Sequence, residues 1–212
     1  MDEAEYKVGR QVKHGVDWIV GDGTANLFVE CKTKRLRHDA KITVEGEVLE
    51  AQLNILAEAI VQLYKNIRDA VDGKTNWTPN QLPIYPLVVT LEEWYLFSPL
   101  TTAYVHRQVK TLLERSCIDP RVADDMPYTV ASIDEIELVG QIFDRTGLGT
   151  FFARKTEPAH SHTMLAGFAW TCFEEHMRDI KRILFSADWE RFLPDTAEGW
   201  IRNLRGPTAS LV

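Results

Sequence analysis

The sequence predicts an α/β domain, a mixed sheet of about five strands flanked by helices, with a helical C-terminal part. Three observations carry the prediction. Two short β-prone runs flank a turn-rich segment, a long stretch repeats apolar residues at alternating steps of three and four, and one later run is apolar on both faces.

In chain order, a first strand is expected over residues 6–12. Residues 16–20 and 27–32 follow as strands separated by Gly21, Asp22, Gly23, Thr24, Ala25 and Asn26, residue types that favour a hairpin loop. Between positions 47 and 71, Leu49, Leu53, Leu56, Ile60, Leu63, Ile67 and Val71 share one face, which predicts a long amphipathic helix. Gly73 and then residues 76–79 end it. Residues 84–91 (IYPLVVTL) read as a strand covered on both sides. A helix is expected over residues 101–117 and a strand over 128–133. Ser132, Ile133, Asp134 and Glu135 have capping-box spacing and open a helix running toward Phe143. Beyond Gly147 comes a loop with Pro158, His160 and His162, then a helix over about residues 163–185. Its apolar stripe of Leu165, Phe168, Cys172, His176, Ile180 and Ile183 puts His176 among core positions. The expected division is an α/β domain over residues 1–146 and a helical extension packing on it over 147–212.

With 212 residues, 45% hydrophobic and 26% charged, the chain can bury a substantial core. Three cysteines without CxxC spacing indicate neither a disulfide framework nor a zinc site, which points to a reducing, cytoplasmic setting. The acidic start and the lack of a membrane-length apolar run predict no export and no membrane partner. A net charge of −7 excludes a uniformly basic coat for nucleic acid, so local charge must carry any such contact. The candidate is the run after Lys32, in which Lys34, Arg35 and Arg37 would contact phosphates. His160 and His162 offer two metal ligands, but no nearby Cys or carboxylate completes a set.

The chemistry concentrates at Asp17 and Glu30-Cys31-Lys32. Five Asp/Glu-x-Lys tripeptides occur, but only this one ends an apolar strand preceded at hairpin distance by an acid-bearing strand. Strand alternation sends Glu30 and Lys32 to one face and Cys31 to the other. A hairpin closing symmetrically about Gly23 and Thr24 pairs residues whose numbers sum to 47, and so sets Asp17 opposite Glu30. Facing carboxylates repel unless a cation sits between them. Mg²⁺ or Mn²⁺ suits such oxygens, with the backbone carbonyl of Cys31 as a third ligand and Lys32 beside the attacking water or the phosphate.

Asp17, Glu30-Cys31-Lys32, the long helix and the apolar strand from Ile84 together resemble the PD-(D/E)XK, or restriction-endonuclease-like, nuclease superfamily across roughly residues 6–95. The resemblance implies a restriction-endonuclease-like sheet core. It also implies that Asp17 and Glu30 bind one or two Mg²⁺ ions while Lys32 assists attack of water on DNA or RNA. Val16 stands where the signature has proline, and few residues precede the first strand where many members carry a helix. Gln52, Gln62 and Tyr64 lack the Gln-x-x-x-Tyr spacing of some branches; Gln52 flanks the apolar stripe and is the supporting candidate. The expected activity is Mg²⁺-dependent hydrolysis of nucleic acid, DNA first, in restriction, repair or phage defence, with a homodimer as a natural assembly for cutting two strands. The alternative is a catalytically silent nuclease-fold module that binds nucleic acid or a partner protein.

Overall fold

The computed structural model describes residues 5–8, 11–33, 46–94 and 98–181. The chain through Ile180 forms one compact unit, and a second begins at Lys181. Strand β1 (Glu5–Val8) pairs antiparallel with β2 (Gln11–His14) as a two-stranded sheet of its own. The single strand expected over residues 6–12 is therefore two.

Strands β3 (Trp18–Gly21) and β4 (Asn26–Lys32) form an antiparallel hairpin paired from Trp18↔Val29 to Gly21↔Asn26, the expected register. Its tip is built by Asp22, whose Oδ1 accepts hydrogen bonds from the backbone N–H groups of Thr24 at 2.8 Å and Ala25 at 3.1 Å. Gly23 between them has φ of 85°, a left-handed conformation that glycine adopts without strain.

Helix α1 (Glu47–Val71) has the bounds its periodicity predicts and buries Leu53, Leu56, Ile60, Leu63 and Ile67. Gly73, at φ 71°, stops it, and the Lys74 N–H closes back onto the Asp69 carbonyl at 2.9 Å. Strand β5 (Ile84–Thr90) returns parallel to β4, pairing Glu30↔Val88 and Lys32↔Thr90. After α2 (Pro99–Arg115) and the short α3 (Val122–Asp125), β6 (Thr129–Ser132) adds parallel to β5. Among the described residues the main sheet is mixed, as expected, but has four strands in the order β3-β4-β5-β6 rather than about five, because the segment expected as its first strand pairs with itself as β1–β2. Because β4, β5 and β6 are parallel, Lys32, Thr90 and Ser132 end on the same rim.

Ser132 caps α4 (Ile133–Val139) through the full reciprocal capping box with Glu135. A 3₁₀ turn and α5 (Phe143–Thr146) continue the chain where one helix was expected to reach Phe143. Three more helices follow, α6 (Leu148–Lys155), α7 (Leu165–Cys172) and α8 (Glu174–Met177). The long helix expected over residues 163–185 is broken at Phe173, with φ −135° and ψ 34°. There the Phe173 ring stacks on Phe151 at 5.2 Å, so aromatic packing outweighs helical continuation. The break shifts the register: Met177 is fully buried and His176 is half-buried, not a core position. Residues 182–185 of that expected helix lie outside the described residues.

Alternation along β4 and β5 feeds two cores. Phe28 and Val88 pack under α1 and α2, while Leu27, Val29, Leu87 and Val89 pack under the phenylalanines of α6 and α7. Each fully buried side chain of this kind contributes about 1.5–3 kcal/mol. The two layers are tied at the hairpin tip. Asp22 Oδ2 accepts the Leu148 N–H at 2.6 Å, and Thr24 Oγ1 accepts the Gly149 N–H at 2.9 Å. A Cβ at position 149 would lie 3.0 Å from the Thr24 carbonyl oxygen, so the close approach needs glycine. Burial acts to raise the Asp22 carboxyl, but its hydrogen bonds prevail and hold it at about 2. Among the described residues no helix is long and apolar enough to cross a membrane.

Candidate metal and phosphodiester site

The candidate acids sit where β3 begins and β4 ends. Extending the β3–β4 register by one residue beyond Trp18↔Val29 sets Asp17 opposite Glu30. On β4, Glu30 and Lys32 share the face of Phe28, beneath α1, and Glu30 is 7% exposed. An ionised carboxylate that deep in the fold is costly unless it is compensated. Lys32 Nζ lies 2.6 Å from Glu30 Oε1 and keeps 36% of its side chain exposed, so the pair is formed at the edge of solvent.

Asp17 is engaged differently. Its Oδ2 accepts the Cys31 N–H at 2.5 Å, taking the ladder position that β3 would have filled had it started earlier. This bond also orients the backbone. The Lys32 carbonyl accepts the Leu91 N–H at 3.1 Å on the β5 side, so the groups of Cys31 face the β3 side, where the Asp17 carboxylate lies. Burial pushes the Cys31 thiol up, and the nearby Asp17 and Glu30 carboxylates push it further. The two acids therefore flank Cys31, and its carbonyl opens toward Asp17.

These residues fit a hard divalent cation in donor chemistry: two carboxylates brought together by register and one carbonyl on the same side. Among the described residues no group of three or more His, Cys, Asp and Glu side chains gathers as a metal cluster. No protein family, curated protein or solved structure matches the chain. The functional argument accordingly rests on this geometry.

Lys34, Arg35 and Arg37 lie outside the described residues. Gln52 is buried on α1 at 6% exposure, and its Oε1 has no hydrogen-bond partner among the described residues. His160 contacts the Phe168 ring at 5.1 Å and lies 3.7 Å from the Cys172 sulfur, packing that leaves His162 apart on the exposed loop.

Sequence reasoning overlooked a second polar group on the same rim, formed by Trp94, Glu135 and Lys155. Lys155 carried a signal. Leu148, Phe151, Phe152 and Lys155 have the spacing of one helix face, and a charge in that apolar stripe marks a buried cation. Trp94 follows the end of the apolar β5, the rim where open α/β sheets place ligand groups.

Proposed function

We infer that the chain is a metal-dependent nuclease of the PD-(D/E)XK type, hydrolysing phosphodiester bonds of nucleic acid with Asp17, Glu30 and Lys32. The observation that supports this most is the register of the β3–β4 hairpin, whose extension by one residue beyond Trp18↔Val29 would set Asp17 opposite Glu30, two residues from Lys32 on β4. The order of hairpin, long helix and parallel strand agrees with the resemblance. Asp17, Glu30 and the Cys31 carbonyl are the residues that would hold Mg²⁺ or Mn²⁺. A cation bound there supplies Lewis-acid polarisation of the phosphate and a more acidic water. Lys32 can leave Glu30 for the phosphate once that carboxylate is otherwise compensated, and its compact ammonium then stabilises charge developing on oxygen.

The decisive experiment incubates purified protein with circular, linear and single-stranded DNA and with RNA, with and without Mg²⁺ or Mn²⁺. Asp17→Ala and Glu30→Ala should abolish both Mn²⁺ binding and cleavage. Lys32→Ala should bind Mn²⁺ normally yet cleave roughly a hundredfold to a thousandfold more slowly. Equal rates for wild type and Lys32→Ala would defeat the mechanism. One observation favours the silent nuclease-fold module instead: Asp17 Oδ2 accepts the Cys31 N–H and Glu30 Oε1 pairs with Lys32, contacts that need no cation. No cleavage of any substrate, with nucleic-acid binding intact, would select that reading.

A further inference from the structure

A small cleft of about 70 Å³, open to solvent, lies at the C-terminal ends of β5 and β6 and wraps the outer edge of β6. Thr90 lines it and pairs in register with Lys32, so the cleft begins one strand, about 4.8 Å, from the candidate catalytic lysine. Its wall is amphipathic. Trp94 and Tyr128 supply aromatic surface and Val130 and Met164 aliphatic surface.

Two hydrogen-bond donors stand in this wall. Trp94 is 6% exposed, and its indole N–H is buried with no acceptor among the described residues. A buried donor without a partner costs about 1–3 kcal/mol, which an acceptor on a ligand would recover. Lys155 is 4% exposed and gives one hydrogen bond to the His160 carbonyl at 3.0 Å, with the Phe168 ring 5.9 Å from its ammonium. Burial lowers this amine to about 8, a measure of how far it has been taken from water.

The acids of the cleft argue against an anion as its occupant. Glu135 is committed to the fold, accepting the N–H groups of Ser132 at 3.1 Å and Ala166 at 2.9 Å. Glu93 is pushed up by burial and by the charges of Glu135 and Asp134, so an added negative charge beside it is disfavoured. An occupant suited to such walls is flat, uncharged, apolar on its faces and rich in acceptors on its rim. A nucleobase has those properties, and stacking on aromatic side chains is how unpaired bases are held.

We propose that this cleft binds one unpaired nucleobase of a single-stranded nucleic acid, the base adjoining the phosphate held at Lys32. The proposal rests on the nuclease-type reading for the polarity of the strand across the rim, but the pocket itself needs neither metal nor cleavage. A duplex keeps its bases stacked and paired and must extrude one to fill the cleft, at a cost of a few kcal/mol.

The test measures binding of the full chain in EDTA to a single-stranded 12-mer, its duplex, the same single strand with abasic sites, and free deoxynucleoside monophosphates. Two variants accompany wild type. Trp94→Phe keeps an aromatic ring and deletes the N–H; Thr163→Trp narrows the mouth from an exposed loop position, giving up the Thr163 hydroxyl's bond to the His160 carbonyl at 2.7 Å. The expected result is at least tenfold tighter binding of the single strand than of the duplex or the abasic strand. Each variant should reduce single-strand affinity about tenfold and leave duplex affinity unchanged. One tryptophan indole resonance, absent from Trp94→Phe, should shift on addition of the single strand. Equal affinity for single strand, duplex and abasic strand would overturn the proposal. So would a single-strand preference that both variants retain, or saturation by free mononucleotides with no preference for a strand. Failure of the nuclease reading would show separately, as absence of cleavage in Mg²⁺ or Mn²⁺ while these EDTA affinities stand.

Discussion

Asp69 and Glu30 are both acids withdrawn from water and both paired with lysine, yet they are built in opposite ways. Asp69 is 1% exposed on α1 and gathers two donors from distant parts of the chain, Tyr6 Oη at 3.0 Å and Lys13 Nζ at 2.6 Å, and one from just past its own helix, Lys74 Nζ at 3.2 Å. Two of these residues belong to the β1–β2 hairpin, so the carboxylate pins that hairpin to the helix. Glu30 meets Lys32 from its own strand, two residues away, beside a second acid brought in by register. The first arrangement joins separate elements. The second pairs two residues of one strand, and leaves its lysine at the edge of solvent. A charge network that crosses elements serves the fold, whereas a local pair beside an extra acid is the kind of charge that chemistry can reuse.

Substitutions can break this contrast. Asp69→Ala should destabilise the protein by about 3 kcal/mol, the low end for removing one partner of a buried ion pair. The low end applies because Lys13 and Lys74 retain 30% and 38% of their side-chain exposure and can be rehydrated. Urea unfolding checks it, and a loss under about 1 kcal/mol would refute the anchoring role.

Acid should act on the same group. Burial alone would raise the Asp69 carboxyl, but hydrogen bonds from Lys13, Tyr6 and Lys74 outweigh it and hold the group below the ordinary carboxylate range. The folded pKa lies below the unfolded one, so the contribution is complete above about pH 4 and is lost as pH falls through the folded value. The stability gap between wild type and Asp69→Asn should therefore be flat from neutral pH to about 4 and narrow below it. A gap unchanged down to pH 2 would mean that packing, not charge, sets it.

The smallest effects belong to the candidate site. Glu30→Gln should change metal-free stability by about 1 kcal/mol or less, since the freed Lys32 can turn to water. Asp17→Ala should cost about 0.5–1 kcal/mol for the lost bond to the Cys31 N–H. Thermal or urea unfolding in EDTA measures both. Losses as large as that of Asp69→Ala would make these residues structural and weaken the catalytic reading.

The same division between local and distant explains what the sequence could reveal. The hairpin register, the span of α1 and the Ser132–Glu135 capping box depend on spacing within one or two adjacent elements, and each emerged where periodicity and turn chemistry put it. The pairing of Asp69 with Tyr6 and Lys13 spans 63 and 56 residues, and no local pattern encodes it. The break at Phe173 was hidden for a related reason. The apolar stripe ran through it without interruption, and only rings brought in from α6 and α7 made departure from the helix favourable. Beside the candidate acids, the pairing of Trp18 with Val29 was legible, while the bond from Cys31 to Asp17 was not, because it depends on where β3 starts.

The bond between Asp22 and the Leu148 N–H spans 126 residues. A ribosome emits the acid-bearing hairpin early and α6 late, so for most of synthesis the turn joining β3 to β4 lacks the helix end that later holds it. Closing so long a loop is slow compared with forming a hairpin. The paired acids can thus reach their register well before their support is in place. A partly synthesised chain would carry the right residues on a ribbon still free to twist, and would gain a rigid site only when the C-terminal helices dock.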